Sequence, residues 1–241
     1  MHVVGVEFVI VALALFVGAI VQGSLGFGMV LFAFPVLVVA EPELLPQTTL
    51  IVGLPIILGL AWRHRGGTVW SEVGIVTLGR LPGIAIAIAI LSLASSRTIG
   101  LLAGVTVLGA VAVSFWAPAV PRTTRHLLLA GVVSSVFGTS VSIGGPPLAL
   151  VFQHEAGPRL RSTMTAIMLF GAPLSLFILA LSGKIDSTDL RTGVALAPFS
   201  MLGGYCSRWA IPYIDARLRP IILSTCAFGA FIAIVRLVVS G

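Results

Sequence analysis

The chain is predicted to be all-α, a polytopic membrane protein built from two inverted repeats of about five hydrophobic segments each. Broken or re-entrant helices are expected early in each repeat. Three observations predict this. Hydrophobic residues make up 58% of the 241 and charged residues only 9%, whereas a soluble domain carries roughly 25% charged residues. Long apolar runs follow one another with short connections. A helix-breaking segment, Gly23-Ser-Leu-Gly26-Phe-Gly28-Met-Val-Leu-Phe-Ala-Phe-Pro35, recurs loosely 116 positions later as Thr139-Ser-Val-Ser-Ile-Gly144-Gly145-Pro146-Pro147-Leu.

The runs fall at 4–22, 27–40, 48–62, 69–94 and 98–117, then at 126–141, 143–153, 163–182, 192–212 and 220–239. About 20 apolar residues cross a bilayer as a helix, so 27–40 and 143–153 are short for a full crossing. Each follows a break directly, as a half-helix returning from a re-entrant hairpin or a tilted short span does. No Lys or Arg precedes the first run. That makes a poor signal peptide, so the first segment is expected to remain as a membrane element.

The halves align along their length, which divides the chain into repeats at 1–117 and 118–241. At an offset of 116, Ser24 matches Ser140, Gly28 matches Gly144, Pro42 matches Pro158 and Thr49 matches Thr165. Farther on, at an offset of 120, Gly83 meets Gly203, Arg97 meets Arg217 and Gly109 meets Gly229. Ordered matches at a fixed period mark an internal duplication.

Loop cations set orientation. Arg63-His-Arg65, Arg122…Arg125, Arg159…Arg161 and Arg217…Arg219 are expected in the cytoplasm. The alternating loops hold Glu41 and Glu43, Arg97, or Lys184 with Asp186 and Asp189. Equivalent loops of the two repeats carry opposite charge bias, which requires opposite insertion and an odd number of crossings per half. Both termini then lie outside. The net charge of +6 sits in these loops, where it serves topology and headgroup contact rather than nucleic-acid binding.

Two breaks at equivalent repeat positions point to a transporter binding site. A broken helix frees backbone N–H groups, and a half-helix N-terminus attracts anions. The candidate binding residues at the breaks are Gln22, Ser24, Gly26, Gly28, Ser140, Ser142, Gly144, Gly145 and Pro146, with Thr139 beside them. The competing reading is that small residues there merely allow close helix packing. Arg80 and Arg208 lie within apolar runs, and no Asp or Glu lies in the middle of any run. Intramembrane ionisable residues are functional candidates by default, and an arginine without an acid partner suits an anionic ligand. Snorkelling to the interface is the alternative, and Arg236 near the end of the last run fits it.

His2, His64 and His126 neighbour termini or loop cations and read as headgroup contacts, while His154 with Glu155 offers at most a proton relay. Cys206 and Cys226 stand alone in separate runs as packing residues. No metal spacing, phosphate loop or nucleophile elbow occurs, so no catalytic residue, metal or cofactor is assigned and an enzyme is not expected.

At its breaks the chain resembles the sulfite exporter TauE/SafE family of small membrane permeases. That family shows a Gly-x-Gly-Gly-Gly-x-x-x-x-Pro pattern early in the first repeat and a Gly-x-Gly-Gly-like pattern in the second. Here Gly26-Phe-Gly28 and Pro35 keep the first pattern while Met29 and Val30 depart from it, and Ser142 stands before Gly144-Gly145-Pro146 where Gly is usual. The resemblance implies a multi-pass protein of the inner (cytoplasmic) membrane that moves sulfite or an organosulfonate. The partners it admits are that small anion, the lipid bilayer, a coupling proton or sodium ion, and further copies of the chain. An anion channel and a non-transporting subunit of a larger complex are the alternatives.

Overall fold

A computed structural model describes residues 5–116, 120–152, 155 and 157–213. Among these the chain is helical throughout: α1 (Val6–Leu25), α2 (Met29–Ala40), α3 (Gln47–Arg63), α4 (Trp70–Leu93), α5 (Ser96–Trp116), α6 (Thr124–Ser140), α7 (Gly145–Val151), α8 (Gly157–Leu181) and α9 (Ser187–Tyr213). A single 3-10 turn, Pro42–Leu44, joins α2 to α3. The expected run at 220–239, with Arg217, Arg219, Cys226 and Arg236, lies outside the described residues, as do His2 and His154.

Helices α1, α4 and α8 are each long and apolar enough to cross a membrane. The 12 residues of α2 and 7 of α7 span only about 18 and 10 Å at 1.5 Å per residue. Large apolar side chains point outward on several helices, including Leu58, Leu78, Leu93, Phe177, Leu181 and Val194. Exposed apolar surface on this scale is stable only against lipid.

The breaks fall where the sequence places them. Helix α1 ends at Gly26 (φ 89°) and α2 starts after Gly28 (φ 113°), both left-handed conformations open to glycine at little cost. Helix α6 ends at Ser140, and Ser142 adopts φ 60° before α7 begins. Ser142, 116 residues after Gly26, takes a left-handed backbone like it, without glycine's freedom. Hydrogen bonds hold it there: its Oγ donates to the Pro46 carbonyl at 3.0 Å, and Thr49 Oγ1 lies 2.8 Å away.

Helix α4 packs along α6, α1 along α9, and α3 against both α8 and α9. Small residues bring the backbones together. At Gly83 an added Cβ would strike the Val132 carbonyl and Ser135 on α6; at Gly203 it would strike the Phe16 carbonyl and Ala19 on α1. Two apolar clusters fill the interior. One joins Leu15, Phe34, Leu37 and Ile56 of α1 to α3, the other Leu148, Phe152, Met164 and Ile167 of α7 and α8 with their neighbours.

Candidate binding cavity between the two breaks

A cavity of about 70 Å³ opens where the breaks meet. By the measure of roughly 10–15 Å³ per water, it has room for a few waters or one small oxyanion. Its walls come from both halves: Gln22, Phe27 and Gly28 of the first break, Ser142, Gly144, Gly145 and Pro146 of the second, and Arg80 of α4. Seven of the eleven residues proposed from sequence (Gln22, Gly28, Arg80, Ser142, Gly144, Gly145, Pro146) thus line one chamber.

Arg80 is 3% exposed. Its Nη1 donates to Ser134 Oγ at 3.2 Å, and Ser134 in turn donates to the Gly144 carbonyl at 2.6 Å. This chain ties the guanidinium to the second break. Its Nε has no partner, and among the described residues no carboxylate pairs with it. The Nε lies against Gly171 of α8; a buried charge without an acid partner is costly, so the arrangement suits an anion in the cavity that Arg80 lines.

Gln22 bridges the first break: its Oε1 accepts from the Met29 N–H at 3.2 Å. Helix geometry leaves the next two N–H groups of α2, on Val30 and Leu31, without intrahelical partners, and both residues border the cavity. Met29 and Val30, the departures from the glycine pattern, are themselves buried in its wall. Their side chains take up space that glycine would leave open.

The other four proposed residues sit elsewhere. Ser24 Oγ donates to the Ile20 carbonyl at 2.8 Å and Ser140 Oγ to the Val136 carbonyl at 2.6 Å. Each hydroxyl proton is therefore held within its own helix, at positions 116 residues apart. Gly26 packs on α8 beside Arg161 and Met164. Arg208 is exposed on α9, with its guanidinium 3.7 Å from the Tyr205 ring centre and 4.1 Å from that of Trp209.

Sequence reasoning passed over Phe27, Thr49, Ser134 and the α8 residues Met168 and Ala172. It also missed how the first break is braced. Arg63 donates to the Gly204 carbonyl at 3.0 Å and to Ser207 at 2.7 Å, and reaches the Gly23 carbonyl. Arg161, 7% exposed, donates to the Ser24 carbonyl at 3.2 Å. Two cations thus meet the negative end of α1, where helix carbonyls lack partners. Only the repeat match of Thr49 with Thr165 hinted at any of these residues.

No curated protein and no solved structure matches the chain. A family model described as sulfite exporter TauE/SafE matches residues 10–233, nearly the whole length and both breaks, and the chain belongs to that family.

Proposed function

We propose that the chain is a secondary transporter moving a small sulfur-containing anion, sulfite or a small organosulfonate, across the cytoplasmic membrane by alternating access. One observation carries this reading. The buried side chain of Arg80, with no acid beside it among the described residues, lines a cavity walled by both helix breaks. The α2 N-terminus adds backbone donors and a positive dipole end. Arg80 supplies countercharge, and a coupling proton or sodium gradient supplies the driving force.

The repeats 1–117 and 118–241 are read as inverted copies rocking about this site. Several equivalences support that. Gly83 meets Val132, and Gly203 meets Phe16, the residue 116 positions earlier. Gly26 and Ser142 share a left-handed backbone, and Ser24 and Ser140 share the same back-bond.

Reconstitution tests the proposal. Purified chain in liposomes is expected to give saturable sulfite flux, and Arg80→Gln to weaken substrate binding about ten- to a hundredfold, the worth of a hydrogen bond to a charged group. Unsaturable flux would favour a channel. Absence of flux from correctly folded protein would leave a non-transporting subunit.

A further inference from the structure

Resting on that transporter reading, we infer that the cavity selects singly charged oxyanions, so that hydrogensulfite rather than the sulfite dianion is the form carried. The argument is a charge balance. The guanidinium of Arg80 stays protonated under all ordinary conditions. The elements packed around it present only neutral groups: Ser134 and Gly138 from α6, Gly171 and Ala172 from α8. No Asp, Glu, His or Lys borders the cavity, and Arg80 is its one charged residue among those described.

The helix ends leave this balance unchanged. Four helix ends border the cavity: the N-termini of α2 and α7 each bring roughly half a positive charge, and the last turns of α1 at Gln22 and of α6 at Gly138 each bring roughly half a negative one, so the four cancel. Arg63 and Arg161 lie outside the lining and donate to the Gly23, Gly204 and Ser24 carbonyls, so the lining itself offers one net positive charge. A monoanion neutralises it. A dianion leaves a full negative charge uncompensated in a low-dielectric interior, which costs several kcal/mol per ion even after relaxation. The extra proton of hydrogensulfite also finds acceptors in the wall, where Thr49 and Ser142 place two hydroxyl oxygens 2.8 Å apart. The loaded site is then electrically neutral and the empty site carries one positive charge.

Three anions test this by calorimetric titration of the full chain in nanodiscs, from mildly acid to mildly alkaline pH. Methanesulfonate and sulfate share a tetrahedral shape but carry fixed single and double charges, and sulfite changes charge near neutrality. Methanesulfonate is expected to bind with the same affinity at every pH, and sulfate at least tenfold more weakly. Apparent sulfite affinity is expected to fall about tenfold per pH unit above its second ionisation. Sulfate binding as tightly as methanesulfonate, or sulfite affinity that holds or rises with pH, overturns the charge selection and leaves the transporter reading standing. Failure of all three to bind protein whose circular dichroism shows it folded overturns both.

Discussion

At the scale of single residues, Arg80 and Arg208 show how equal hydropathy hides unequal roles. Arg208 lies among Tyr205 and Trp209, the aromatic company of a membrane interface, and is exposed there. Arg80 stands one turn before Gly83 on α4 and is buried. Opposite it, a Cβ on Gly171 would strike the Arg80 Nε and Cζ. Gly171→Ala should therefore push the guanidinium off its seat while the helix survives, because the obstacle is the end of a flexible side chain. Transport is expected to fall at least tenfold, the cost of one charge-assisted hydrogen bond, with a melting temperature near that of the parent. His64, in the loop after α3, supplies a pH test. Burial first, then the charges of Arg63 and Arg161, lower its pKa from 6.5 to about 4. The neutral ring is thus favoured by the fold, and its contribution is complete above pH 6.5 and lost as pH falls toward 4. His64→Gln should flatten the loss of thermal stability across that window, as melting curves at stepped pH would record.

At the scale of elements, the two helix contacts that place α4 and α9 depend on backbone proximity. The neighbours of Gly83 and Gly203 include carbonyls of α6 and α1, which cannot swing aside as a side chain does. Gly83→Ala and Gly203→Ala should each destabilise by about 1–3 kcal/mol, the usual cost of overpacking. Gly74→Ala, on the same helix as Gly83 with nothing near its missing Cβ, should be neutral or stabilising by up to about 1 kcal/mol. A melting series of the three separates close packing from helix propensity. The helices themselves were largely legible, since hydropathy marks where a chain enters lipid. Their starts were not. Helices α8 and α9 begin at Gly157 and Ser187, earlier than the runs at 163 and 192, because their first turns are polar and helical together. The breaks were legible through Gly and Pro. Phe27, Thr49 and Ser134 were not, because each gains its role from a partner far along the chain: Thr49 from Ser142, Ser134 from Arg80.

At the scale of the whole molecule, the charged loops segregate. Glu41, Glu43, Lys184, Asp186 and Asp189 line one surface cavity of about 320 Å³, uniting the acidic-leaning loops of the two halves. The cationic loops gather separately. Arg122, from the connector between halves, joins Glu72 at the start of α4 to Glu155 ahead of α8, and Arg159 pairs with the same Glu155 at 3.2 Å. Arg122, Glu72 and Glu155 are half-buried, and the network ties the connector to the segments on either side of it. Loops that are far apart in sequence yet share charge and place fit a bundle with one cation-rich and one acid-rich face. The positive-inside rule then assigns the first to the cytoplasm. Single cysteines test the assignment in a background with Cys206 and Cys226 replaced by serine. Cys at Glu43 or Asp186 should react with an impermeant maleimide added to intact cells. Cys at Arg65 or Arg125 should react only after the membrane is opened. Because Glu43 and Asp186 belong to different halves at non-equivalent loops, their common labelling requires the halves to insert in opposite senses. Labelling of Glu43 and Arg125 from one side would mean instead that the halves run parallel, and would overturn the inverted-repeat proposal.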